Sequence, residues 1–225
     1  MSETPQLEPP KSDREKIIET FMAILGEKPI ESIGFGEISA RAGVPLTQCR
    51  AEFGSVLAIL AAHAKELDRQ VLGGGEGDMA EEPPRERLFD VLMRRIEALG
   101  PHKNAVRSLI RSASRNPGLA LTLNAIATRS QSWMLTAADI DASGPRGMIR
   151  AQGLACLFAQ VLRTWVDDDD PGMARTMAAL DRALASGQRW SGWLDDLCRL
   201  APSRFRPRRR RYRDRDEGDE PVVAA

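Results

Sequence analysis

Apolar residues at helical spacing run through almost the whole chain, and this limits its fold more than any other feature. Ile17, Phe21, Ile24 and Leu25 form one such set, Leu88, Val91, Leu92 and Ile96 a second, and Leu154, Phe158, Val161 and Trp165 a third. Steps of three and four residues place each set on one side of an α-helix. The strict alternation of a half-buried strand is nowhere sustained, so the chain reads as all-α. At 225 residues, 42% hydrophobic and 28% charged, it is long enough for one sizeable helical body with a smaller unit attached.

The spacing predicts a first helix over 12–25, with Ser12 as N-cap and Glu15 three residues on as its capping-box partner. Two short helices follow over 36–42 and 45–53, parted at Gly43, with Pro45 at the first helical position of the second. A longer helix over 55–72, capped by Ser55, is expected to turn Leu57, Leu60, Ala61, Ala64 and Leu67 inward. Segment 73–84 (GGGEGDMAEEPP) has no Gly-Lys-Ser/Thr and reads as a linker, not a phosphate-binding loop. Five helices are expected beyond it: 85–99, 103–115, 118–138, 145–166 and one opening at Asp170 and Pro171, with the apolar stretch 190–200 continuing it after Gly187. The resulting division is a disordered start (1–11), an N-terminal unit (12–72), the linker (73–84), a helical body (85–202) and an arginine-rich tail (203–225).

Several function classes recede on these grounds. The longest apolar run, 56–64, is interrupted by His63 and falls far short of the roughly 20 residues that span a bilayer. The first 13 residues lack the apolar segment of a signal peptide. Cys49, Cys156 and Cys198 are odd in number and show no CxxC spacing, which argues against a disulfide framework or zinc site and for a reducing, cytoplasmic setting. There are two histidines: His63 lies at helical spacing from Leu60 and Leu67 and reads as structural, and His102 follows Gly100 and Pro101 in a turn and reads as solvated. The acidic run 167–170 is read as stabilising a helix N-terminus and not as a metal site. Cys49 reads as a small buried residue and not a redox switch. No catalytic constellation or cofactor motif emerges, and an enzyme is not expected.

The formal net charge is zero, yet it is unevenly spread. Residues 203–225 hold eight arginines and five acids, which leaves 24 basic and 27 acidic residues in the rest. With Pro207 inside it and five acids in 214–220 after it, this stretch cannot bury a face and is expected to be disordered. It is either a solvated tail or a sequence-independent attraction to nucleic-acid phosphates or anionic lipid.

Residues 37–44, Glu-Ile-Ser-Ala-Arg-Ala-Gly-Val, fit the crossing of a helix-turn-helix: Ile38 and Val44 can pack inward, Ala42 is small at the crossing, and Gly43 sits at the turn. The pattern gains weight from the capped amphipathic helix before it and the long helix opened by Phe53, Gly54 and Ser55 after it. On these residues the chain resembles the TetR family of bacterial regulators over 12–72, and over the remainder by helix number and length. The resemblance implies a homodimeric, ligand-responsive repressor that binds double-stranded DNA and holds a small apolar effector in its C-terminal domain. Thr47 and Gln48 are then the candidates for base edges, and Arg41, Pro45, Leu46 and Arg50 complete the candidate DNA surface. Trp133, Met134, Met148, Phe158 and Trp165 are the candidate effector lining, and the helices over 145–166 and 171–186 the expected dimer interface.

Three positions depart from the family pattern. The tyrosine that touches phosphate from the recognition helix corresponds to Arg50, the lysine at the start of the next helix to Val56, and the threonine before the second helix to Gly34. Phosphate contacts dominate duplex affinity, so these departures leave an alternative open: a protein of this fold that binds a lipid or isoprenoid and does not read DNA.

Overall fold

The computed structural model describes residues 11–74 and 81–186. Among them the regular structure is helical throughout: α1 (Asp13–Glu27), α2 (Phe35–Ala42), α3 (Leu46–Glu52), α4 (Val56–Gly73), α5 (Pro84–Leu99), α6 (Lys103–Arg115), α7 (Pro117–Ala137), α8 (Gly144–Val166) and α9 (174–186), with single 3-10 turns at Ile30–Ser32 and Gly100–His102. The all-α expectation holds. The expected disordered start, the apolar stretch 190–200, the arginine-rich tail and the middle of the 73–84 linker lie outside the described residues.

The capping box that opens α1 forms as the sequence indicates: the Glu15 amide donates to Ser12 Oγ, and the Ser12 amide donates to Glu15 Oε2 at 2.8 Å. Ile17, Phe21, Ile24 and Leu25 are then fully buried. They pack with Ile38, Val44, Cys49, Phe53 and Ile59 into one core. Ala105 of α6 and Leu119 of α7 enter the same core, so the N-terminal unit is built directly onto the body. A second core joins Leu67 and Val71 of α4 to Leu92, Ile96, Met134 and Phe158 of the body.

Helix α4 therefore serves both cores, its first half in one and its last turns in the other. Ser55 caps it, accepting from the Ala58 amide at 3.1 Å. The expected inward set needs correction: Ala61 is exposed, Leu57 and Ala64 are half-buried, and Ile59 and Asp68 are buried instead. Leu60 and Leu67 are buried as expected, and the buried face of α4 widens to take in Ile59 toward one core and Asp68 and Val71 toward the other.

Two other helix starts differ from expectation. Pro45 is the N-cap of α3 in extended conformation, and not its first helical residue. Residues 170–173 form a turn before α9, with Met173 at φ 50°, so the helix opens at 174 and not at Pro171. The acidic run explains this start. Asp170 accepts from the Gly172 and Ala174 amides, and buried Asp168 accepts from the amide and hydroxyl of Thr176 at 2.9 and 2.6 Å. The Thr176 hydroxyl is the main reason the Asp168 carboxyl lies below the usual carboxylate range.

Helix α6 works as a strut between the body and the N-terminal unit. At its start the Lys103 ammonium donates to the Asp168 carbonyl at 2.5 Å and Arg107 to the Val166 carbonyl, tying α6 to the end of α8. Farther along, Ser108 donates to the Lys28 carbonyl at 3.0 Å and Ser112 to Glu31 Oε2 at 2.9 Å, just past α1.

Candidate nucleic-acid interface and ligand region

The turn between α2 and α3 follows from one residue. Gly43 adopts φ 64°, ψ 25°, and this bend carries both its own amide and that of Val44 to the Ser39 carbonyl. The Ser39 hydroxyl closes the loop on the Val44 carbonyl at 2.7 Å. Ile38 and Val44 then face inward, as the sequence indicated.

Helix α3 has seven residues and buries one of them, Cys49, whose thiol lies 3.7 Å from the Val44 carbonyl. With Cys49 inward, Pro45, Leu46, Thr47, Gln48 and Arg50 are exposed, and Leu46 is 54% exposed despite its apolar side chain. The candidate base-reading residues thus share the open side of the second helix of a helix-turn-helix.

Arg41 stands apart from them. Its guanidinium grips both Glu27 oxygens at 2.6 and 2.7 Å, which lowers the Glu27 pKa and raises that of Arg41. A phosphate would have to compete with that pair. The neighbouring bases are similarly engaged: Arg14 with Glu52 at 3.3 Å while lying over the Phe53 ring, and Lys28 with Glu37 at 2.5 Å. Arg50 takes part in no ion pair among the described residues.

The three departures are visible in the geometry. Gly34 is the N-cap of α2, supplies no side-chain cap, and has open space where a Cβ would stand. Val56 is half-buried at the first position of α4, packed toward the N-terminal core. Arg50 is exposed on α3 and can itself reach outward.

The five candidate effector-lining residues divide between interior and surface. Met134, Phe158 and Trp165 are packed in the second core, whereas Trp133 is 53% and Met148 67% exposed. Met148 borders an open cleft of about 420 Å³ together with Thr128, Arg129, Ser132 and Pro145. Helical spacing grouped Trp133 with Met134, but adjacent residues differ by 100° and only Met134 faces the core.

A buried polar group that the sequence pattern did not single out lies beside Met134 and Phe158. Arg95 donates to Asp68, whose same oxygen accepts from Ser130 at 2.6 Å, and the guanidinium lies 6.0 Å from the Phe158 ring and 3.9 Å from the Met134 sulfur. The signal was present: Arg95 falls between Leu92 and Ile96 in the inward stripe of α5. Among the described residues three buried polar atoms have no hydrogen-bond partner: Arg95 Nε, Gln131 Oε1 and His63 Nε2. Such orphans are costly, and a ligand or ordered water normally meets them.

The sequence presents His63 and His102 as separate residues, one structural and one solvated. They pack edge to face at 4.8 Å where α4 meets the turn before α6, and His102 is half-buried. Burial, then the neighbouring His102 and Arg95 charges, lowers the His63 pKa to about 4, and burial lowers that of His102. Among the described residues no three His, Cys, Asp or Glu side chains gather as a metal set, and no helix is long and apolar enough to cross a membrane.

This geometry has counterparts among solved structures. No protein-family model matches the chain, and no curated protein is significantly similar to it. A TetR transcriptional regulator from Nitrosomonas europaea superposes with TM-score 0.62 at 19% identity, covering 79% of this chain and 99% of its own. One from a Rhodococcus species gives 0.56 at 19% identity, covering 78% and 95%. A TetR-family regulator from Streptomyces coelicolor gives 0.54 at 14% identity, covering 84% and 86%. The chain has the fold of the TetR-type transcriptional regulators: a helix-turn-helix unit followed by a helical body.

Proposed function

We propose that this protein is a DNA-binding transcriptional regulator, a ligand-responsive repressor that acts as a homodimer. The observation that carries the reading is the α2–α3 unit, in which Gly43 sets the turn, Cys49 anchors the second helix, and Thr47 and Gln48 are left open to a major groove. Arg50 is the phosphate contact beside them, and Arg41 joins only where a phosphate displaces Glu27.

Effector binding is assigned to the polar group around Arg95, next to Met134 and Phe158. Asp68 already balances the Arg95 charge, so an anionic headgroup would leave a net buried charge, and a neutral hydrogen-bond acceptor suits the unpartnered Arg95 Nε better. Movement there has a path to the DNA unit, since α4 spans both cores and α6 is hydrogen-bonded to the segment after α1.

The test is an electrophoretic shift with DNA from around the protein's own gene. A regulator should give a shift that resists competitor DNA, and Gln48→Ala should remove that resistance; no selective shift with any such fragment counts against it. A second reading, a protein of this fold that binds a lipid or isoprenoid without reading DNA, is favoured by one observation: residues 11–74 carry eight basic and nine acidic side chains. Lipid found by mass spectrometry in the purified protein, together with absent DNA binding, would establish it.

A further inference from the structure

Helix α3 presents a mixed surface on its open side. Of its seven residues, Leu46, Thr47, Gln48, Arg50 and Ala51 are exposed, Cys49 is buried, and Glu52 is half-buried where it meets Arg14. Among the described residues of the helix-turn-helix unit, Leu46 is the one large apolar side chain that stands more than half in solvent. Steps of four put Leu46 beside Arg50 and Thr47 beside Ala51, so each polar side chain here has an apolar one next to it.

The charge of the unit points to the same side chain. Of the eight basic residues in 11–74, Lys11, Arg14, Lys16, Lys28, Arg41 and Arg69 each pair with an acid within 3.3 Å. Against nine acids, these bases make phosphate neutralisation a small source of affinity, and contacts inside the groove carry more of it. A leucine bonds neither a phosphate nor a polar base edge. The apolar group that the major groove offers is the C5 methyl of thymine. We infer that Leu46 is a specificity-determining residue that reads this methyl, so that each half-site holds a thymine opposite it. The inference rests on the DNA-binding reading and deepens it: Thr47 and Gln48 select by hydrogen bonds, and Leu46 selects by a methyl that thymine alone carries. The contact takes apolar surface of both partners out of water.

The experiment first recovers preferred duplexes from a random pool bound to the full-length protein. Each thymine of the recovered motif is then replaced in turn by uracil, which lacks only the methyl. Affinities are measured by fluorescence anisotropy for the parent, Leu46→Ala and Thr47→Ser. In the parent, uracil at one thymine of the half-site is expected to weaken binding about fourfold, the worth of one buried methyl. Leu46→Ala should bind the thymine and uracil duplexes alike at that position and melt at the parent temperature, whereas Thr47→Ser should keep the discrimination. A parent indifferent to uracil at every thymine would overturn the inference and leave the regulator reading in place, as would discrimination that survives in Leu46→Ala. Failure to recover any motif would remove the regulator reading, and this inference with it.

Discussion

His63 shows how one side chain couples burial to pH. Its imidazole faces His102 on the 3-10 turn and the Arg95 charge from α5, and His102 in turn faces Glu19 of α1. Unfolded, a histidine titrates near 6.5; folded, His63 titrates near 4, so the unfolded chain holds a proton that the native chain refuses. The resulting stability is complete above pH 6.5 and falls away as pH drops toward 4, by up to about 3 kcal/mol. Urea titrations at pH 7 and pH 4.5 should therefore show a smaller acid destabilisation for His63→Leu than for the parent, and equal destabilisation would show that His63 does not contribute. Val56 offers a second test. Val56→Lys restores a cation at the start of α4, and the slope of log affinity against log salt should steepen by about 0.9; an unaltered slope would place this position away from the phosphates.

At the level of elements, the α2–α3 turn depends on the left-handed conformation of Gly43. Gly43→Ala has room for its methyl but not the backbone preference, and should cost about 1–2 kcal/mol in denaturant unfolding. A neutral result would mean that the turn can be built another way. The features legible in the sequence were those with local causes: the Ser12–Glu15 capping box, the Ser55 cap and the glycine break before Val44. What was not legible depended on distant partners. The start of α9 is fixed by Asp168 reaching Thr176 across a turn. Trp133 and Met148 carry the right residue type for an effector lining, but tertiary packing turned Met134 inward and left these two outside. Nor could a 3.6-residue period foresee that Arg95 would be held in the core by Asp68 and Ser130, because these partners lie 27 residues apart and more.

Over the whole molecule, α4 and α6 bind the helix-turn-helix unit to the body through shared cores and hydrogen bonds. The proposed regulator function calls for two recognition helices at a fixed spacing and hence a dimer. The proposed interface is α8 with α9, where Met148 and Ile149 are more than half exposed and Met177 is 39% exposed. Sedimentation of the full chain should give twice the chain mass, and Met148→Asp with Ile149→Asp should shift it toward the monomer; a monomeric parent would remove the basis for two half-sites. DNA reading by α3 is measured most directly by recovering and sequencing genomic DNA bound to the tagged full-length protein. A dimeric regulator should enrich a few sites that share a two-fold symmetric motif, with half-sites about one helical turn or a multiple of it apart, and Thr47→Ala with Gln48→Ala should abolish that enrichment. Uniform recovery of the genome, or enrichment unchanged in that variant, would contradict a sequence-reading role for this helix-turn-helix.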